Sequence, residues 1–64
     1  MPYFVLRESL KSSEWSAEWV FTNMISALRK QRQIIRTATE KYKPVKGKKY
    51  KYSTDDCYLE IIER

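Results

Sequence analysis

A chain of 64 residues, a third of them charged and carrying a net charge of +5, reads as one small domain spanning residues 1–64. It leaves no room for a dinucleotide-binding unit, a barrel or a second domain. Its 42% hydrophobic and 14% aromatic content, with one Gly and two Pro, is that of a folding chain and not a disordered one.

In chain order, Tyr3-Phe4-Val5-Leu6-Arg7 is aromatic and β-branched and predicts a strand or extended arm. Leu10 to Ser13 reads as a polar connection, and Ser13 or Ser16 can cap a helix with Glu14 or Glu18 in its first turn. From Ser16 the spacing is helical: Val20, Phe21, Met24, Leu28 and Ile35 fall in one arc about 100° wide. Arg29, Lys30, Gln33 and Arg36 lie opposite. Residues 16–36 read as one amphipathic helix in which Thr22-Asn23 is the candidate break, with Trp15 and Trp19 four apart on one flank. Thr37 and Glu40 have capping-box spacing, but Pro44 ends anything begun there. Val45 to Tyr52 then alternates with period two and predicts a tight hairpin with Gly47 at the turn, Tyr50 and Tyr52 on one face and Lys49 and Lys51 on the other. Ser53-Thr54-Asp55-Asp56 reads as a helix cap. Tyr58, Ile61 and Ile62 follow at helical spacing, although the same residues also alternate as a strand.

Histidine is absent and Cys57 is the single cysteine, so no internal disulfide and no Cys/His zinc cluster can be drawn, and neither cofactor nor metal is expected. Cys57 reads as a small buried hydrophobe, because Asp55, Asp56 and Glu60 would raise its pKa and quiet it as a nucleophile. Nothing resembles a Gly-rich phosphate loop, and a thin core offers carboxylates little burial with which to tune them; the chain does not read as an enzyme. No apolar run approaches a membrane span and no basic leader opens the chain, so a soluble, cytoplasmic protein in a reducing compartment is the expectation.

Charge is segregated. Residues 1–28 carry a net −1, residues 29–51 a net +9 and residues 52–64 a net −3. A central cationic block of this kind attracts polyanions, since each phosphate neutralised releases condensed counterions. A solvated lysine-rich surface is the competing reading.

The run Lys43-Pro44-Val45-Lys46-Gly47-Lys48-Lys49-Tyr50-Lys51-Tyr52-Ser53-Thr54-Asp55-Asp56, followed by Leu59 and Ile62, resembles the wing and following helix of small winged-helix DNA-binding proteins of the excisionase and MerR type. The likeness is confined to residues 43–62. It implies an α+β winged helix-turn-helix-like domain: helices plus a two-stranded wing on the phosphate backbone or minor groove, and an upstream helix in the major groove. Tyr50 and Tyr52 would hold the wing to the core. The function it implies is sequence- or structure-directed DNA binding by an architectural or transcription-regulating factor of a phage or other mobile element. The candidate DNA-binding residues are Arg29, Lys30, Arg32 and Arg36 on the helix, and Lys43, Lys46, Lys48, Lys49 and Lys51 on and beside the hairpin.

The alternative is a small basic inhibitor or adaptor docking on an acidic surface of a larger protein, with its Tyr and Trp as anchors. Its fold would be βαββ, with Tyr3–Arg7, Lys48–Tyr52 and Cys57–Ile62 as a small antiparallel sheet on one long helix. RNA binding, with Tyr42, Tyr50 or Tyr52 stacking on unpaired bases, is a third course. A homodimer is compatible with any of these, because a thin core leaves Trp19 and Phe21 short of cover.

Overall fold

Alternation governs the first strand. The computed structural model describes residues 2–64. In it β1 runs Phe4–Leu10 with Phe4, Leu6 and Glu8 on one face and Val5, Arg7 and Ser9 on the other. β2 (Ser16–Phe21) folds back antiparallel along one side of β1, setting Phe21 opposite Phe4 and Trp19 opposite Leu6. Helix α1 (Met24–Thr37) follows, then β3 (Lys43–Pro44), β4 (Lys51–Ser53) and β5 (Cys57–Glu63). β5 lies antiparallel along the other side of β1, with Ile61 opposite Leu6 and Leu59 opposite Glu8. β4 and then β3 complete a five-stranded antiparallel sheet of order β2-β1-β5-β4-β3.

α1 covers one face of this sheet. Leu6 and Leu59 on the central strands are fully buried, and Ala27, also fully buried, lets the helix backbone come close above them. Burying each leucine contributes about 1.5–3 kcal/mol. Trp19, Phe21, Met24, Leu28, Ile34, Ile35 and Tyr52 surround this centre. Tyr42, on the connection after the helix, is buried too, and its hydroxyl donates to Glu8 Oε2 at 3.1 Å, supplying a partner for the carboxylate that β1 turns toward the helix layer. The other face of the sheet has an apolar strip, where buried Val5 lies opposite Val20 and Ile62, beside a self-neutralising polar region. Arg7 pairs with Glu18 at 2.7 Å, Lys51 with Glu60 at 3.7 Å, and the ammonium groups of Lys11 and Lys51 sit 4.8 and 4.7 Å from the centre of the Tyr58 ring.

This architecture corrects both expected folds. A winged helix-turn-helix needs two helices ahead of its wing, and among the described residues there is one helix. The βαββ scheme lacks β2 and β3. The first error lies in residues 16–21, read as the opening turns of a helix. Ala17, Trp19 and Phe21 also alternate, and β1 offers six consecutive pairing partners, which outweigh local helical spacing. Val20, assigned to the buried arc, consequently sits on the far face of an edge strand and is 64% exposed. The helix begins where Thr22-Asn23 offered a break: extended Asn23 caps it, Oδ1 accepting from the Ser26 N–H at 2.8 Å.

The second error lies after the hairpin. Thr54 Oγ1 accepts from the Asp56 and Cys57 N–H groups at 3.2 and 3.0 Å, the same hydroxyl-to-amide bonding that opens a helix. Here it closes a turn instead, with the Thr54 N–H donating to the Cys57 carbonyl at 2.9 Å, and the chain continues as β5. Seven residues of unclaimed β1 backbone decide between the two outcomes. Thr37 and Glu40 start no helix either.

Candidate nucleic-acid interface

The sequence of α1, MISALRKQRQIIRT, contains four cations and no acid. With Ala27, Gln31, Ile34 and Ile35 turned to the sheet, helical geometry places Arg29, Arg32 and Arg36 on the outward ridge, Arg29 and Arg36 seven residues apart and roughly 10 Å along the axis. All three are exposed. Arg36 lies in the last turn, where the negative end of the helix favours a cation. Ile25 is 65% exposed at the other end of the same ridge. Lys30 leaves the ridge for the β2 flank, its Nζ 5.5 Å from the centre of the Trp19 ring.

The second cationic element is the loop between β3 and β4. Val45 to Lys48 forms a four-residue turn closed by the Lys48 N–H on the Val45 carbonyl at 3.2 Å, with Gly47 at its third position and φ +81°. That left-handed value suits glycine, which has no Cβ to clash. Lys46, Lys48 and Lys49 are exposed around it. Tyr50 is also left-handed, at φ +58°, and is 41% exposed, so Tyr52 alone of the expected pair packs against the core. Pairing is confined to Lys43 with Ser53 and Pro44 with Tyr52, extended by the Val45 N–H on the Lys51 carbonyl at 2.9 Å.

The helix and the end of the loop are joined through Gln31, a residue missed from sequence. It is 3% exposed within the apolar stripe of α1, and its Nε2 donates to the Tyr50 carbonyl at 2.8 Å. The same carbonyl accepts the Ile61 N–H at 3.1 Å, so one backbone oxygen ties helix, loop and β5 together. A shallow cleft of about 210 Å³ lined by Leu28, Gln31, Arg32, Ile35 and Tyr52 runs beside this tie. The signal available in the sequence was a lone amide between Leu28 and Ile34-Ile35 on an otherwise apolar face.

Of the nine candidate residues, Arg29, Arg32 and Arg36 share the ridge, and Lys46, Lys48 and Lys49 share the loop whose end, at Tyr50, is tied to the helix by Gln31. Three lie apart. Lys30 flanks Trp19, and Lys51 is on the opposite sheet face in its pair with Glu60. Lys43 borders an open hollow with Lys11, Lys41, Glu40 and Asp55, where acids offset the cations. A hydrogen bond shared with Asp56 is the main cause holding the Glu40 carboxyl above its ordinary range, Thr54 pulling the other way. Among the described residues the ion pairs are Arg7–Glu18 and Lys51–Glu60, both on the face away from α1, so no carboxylate pairs with the ridge or the loop. Among the described residues no group of three or more His, Cys, Asp or Glu side chains is placed to hold a metal ion, and no helix is long and apolar enough to cross a membrane. No family model, curated protein or solved structure matches the chain.

Proposed function

We propose that the protein binds DNA, presenting the arginine ridge of α1 to the major groove and the Lys46–Lys49 loop to flanking phosphates. The observation that carries this reading is a helix with four cations and no acid, tied through Gln31 to the end of a lysine loop and free of intramolecular ion pairs among the described residues. A helix of this width fits a major groove about 12 Å across, and an arginine ridge roughly 10 Å long faces about three base pairs, with arginine able to bond guanine through two N–H groups. The lysines fix register without reading sequence. With no catalytic constellation invoked, the activity is architectural or regulatory: occupying a site, bending it or recruiting a partner.

Fluorescence anisotropy with a labelled duplex over a salt series tests the proposal. Three phosphate contacts, from Lys46, Lys48 and Lys49, give a slope of log affinity against log salt near −3. Absent binding at low ionic strength, or binding indifferent to salt, would refute it. Single-stranded DNA and RNA of the same length, run in parallel, separate duplex recognition from base stacking on Tyr50.

One observation favours a second reading. Ile25, largely exposed beside Arg29, is an apolar anchor of the kind that serves contact with an acidic protein surface better than contact with phosphate. In that case Ile25→Ala weakens capture of the protein partner and leaves duplex affinity unchanged.

A further inference from the structure

The backbone of β2 points to a partner strand. In β1 the odd-numbered residues exchange bonds with β5: the Tyr3 and Arg64 N–H groups each donate to the other residue's carbonyl at 2.8 Å, and the Lys11 N–H donates to Asp56 at 2.8 Å. Successive residues of an antiparallel strand turn their polar groups to opposite sides, so the even-numbered residues of β1 serve β2, as the Leu10 N–H bond to Trp15 shows at 3.2 Å. From the register, the ladder with β1 uses the N–H and C=O groups of Ala17, Trp19 and Phe21. Those of Ser16, Glu18 and Val20 are directed outward along the margin of the sheet. The two margins differ sharply. β3 is two residues long, Lys-Pro, the short, charged and donor-poor strand with which proteins blunt an edge. β2 is six residues, SAEWVF, with no Pro, no Lys and one acid.

We propose that β2 pairs antiparallel with β2 of a second copy about a twofold axis through Trp19, fusing two five-stranded sheets into one. Parity requires outward groups to meet outward groups and helix-facing side chains to meet their own kind. A dyad at Glu18 satisfies this but sets two carboxylates directly opposite, which destabilises. A dyad at Trp19 instead opposes Glu18 to Val20 of the other copy, with reciprocal hydrogen bonds between them. On the helix-covered face it sets the two Trp19 rings together and small Ala17 against large Phe21. Val20, stranded in solvent in the single chain, gains cover, and both α1 ridges come to the same side of the joined sheet. The inference does not depend on the DNA reading and is measured without nucleic acid.

Sedimentation velocity on the full chain over a wide concentration range, with Val20→Pro as the variant, tests it. The Val20 N–H donates nothing to β1, so proline there spares the ladder within the chain while removing one dimer hydrogen bond from each copy. The wild type is expected to dimerise, and the variant to weaken dimerisation about 30-fold through the loss of two ladder bonds. Amide hydrogen exchange of the wild type supplies a readout independent of whether the variant folds: the Glu18 and Val20 amides slow as concentration rises. A wild type that stays monomeric overturns the proposal, as does a folded variant that dimerises equally well. Edge amides whose exchange ignores concentration overturn it too.

Discussion

Gln31 should behave as a hydrogen-bonding group and not merely as filler, and three substitutions separate the two roles. Gln31→Met keeps length and approximate volume but removes the donor. The Tyr50 carbonyl still holds the Ile61 N–H, so no buried acceptor is orphaned and the loss is one net hydrogen bond, about 1 kcal/mol. Gln31→Ala removes, in addition, a side chain that is 3% exposed among Leu28, Ile35 and Tyr52, raising the cost to about 2–3 kcal/mol. Gln31→Glu keeps the shape but turns a carboxylate toward a carbonyl oxygen. Burial raises the folded-state pKa of such an acid, so its penalty is largest at neutral pH and shrinks as pH falls toward about 4. A domain of this size has about 3–10 kcal/mol of stability in all, and each kcal/mol moves Tm by about 4–8 °C. Urea and thermal unfolding followed by tryptophan fluorescence at pH 7 and pH 4 read all three. A methionine variant as stable as wild type, together with a glutamate variant whose deficit ignores pH, would refute the argument.

The remaining predictions concern caps, turns, titration and charge. Asn23→Ala removes the one side-chain cap of α1 and should cost about 1 kcal/mol in chemical denaturation, whereas Asn23→Ser should cost far less. Gly47→Ala meets no atom within 4 Å of the new Cβ, so its cost, about 1 kcal/mol, comes from the left-handed backbone alone; a much larger loss on thermal unfolding would disprove that account. Burial first, and then the charge and hydrogen bond of Glu8, raise the Tyr42 hydroxyl above its ordinary value near 10. A raised folded-state pKa adds stability that is complete below pH about 10 and is lost as pH climbs beyond it, so Tyr42→Phe should flatten the alkaline fall in stability, measured by pH-dependent unfolding. Finally, replacing Lys46, Lys48 and Lys49 together by Gln should reduce the salt slope of duplex binding by about 3, while Lys51→Gln, on the opposite face and paired with Glu60, should leave it unchanged. A Lys51→Gln variant that lowers the slope by about a third as much as the triple variant would show that total charge, and not the loop, governs binding.

The charge map was legible because it depends on residue identity alone: the basic block at 29–51 is basic in any fold. The turn at Gly47 was legible for a similar reason, since a lone glycine among lysines meets a local steric demand. The strands at 16–21 and 57–63 were not. Each carries two apolar patterns at once, Val20 with Phe21 and Met24 against Ala17 with Trp19 and Phe21, and Tyr58 with Ile61 and Ile62 against Cys57 with Leu59 and Ile61. Local spacing cannot choose between them. The choice is made by β1, whose two sides each need hydrogen bonds, and β1 meets β5 only across most of the chain's length.

The grouping of the candidate site divides in the same way. Helical spacing places Arg29 and Arg36 on a common ridge once residues 24–37 are known to be a helix. How the loop of Lys48 and Lys49 is held to the helix depends on Gln31 reaching Tyr50, and whether Lys51 joins them depends on which face of β4 it occupies. Residue identity thus determined how much positive charge the protein carries and where along the chain it falls. The long-range pairing of β1 with β2 and β5 decided which cations gather on one surface, because backbone groups buried in a sheet must find partners wherever the chain can bring them.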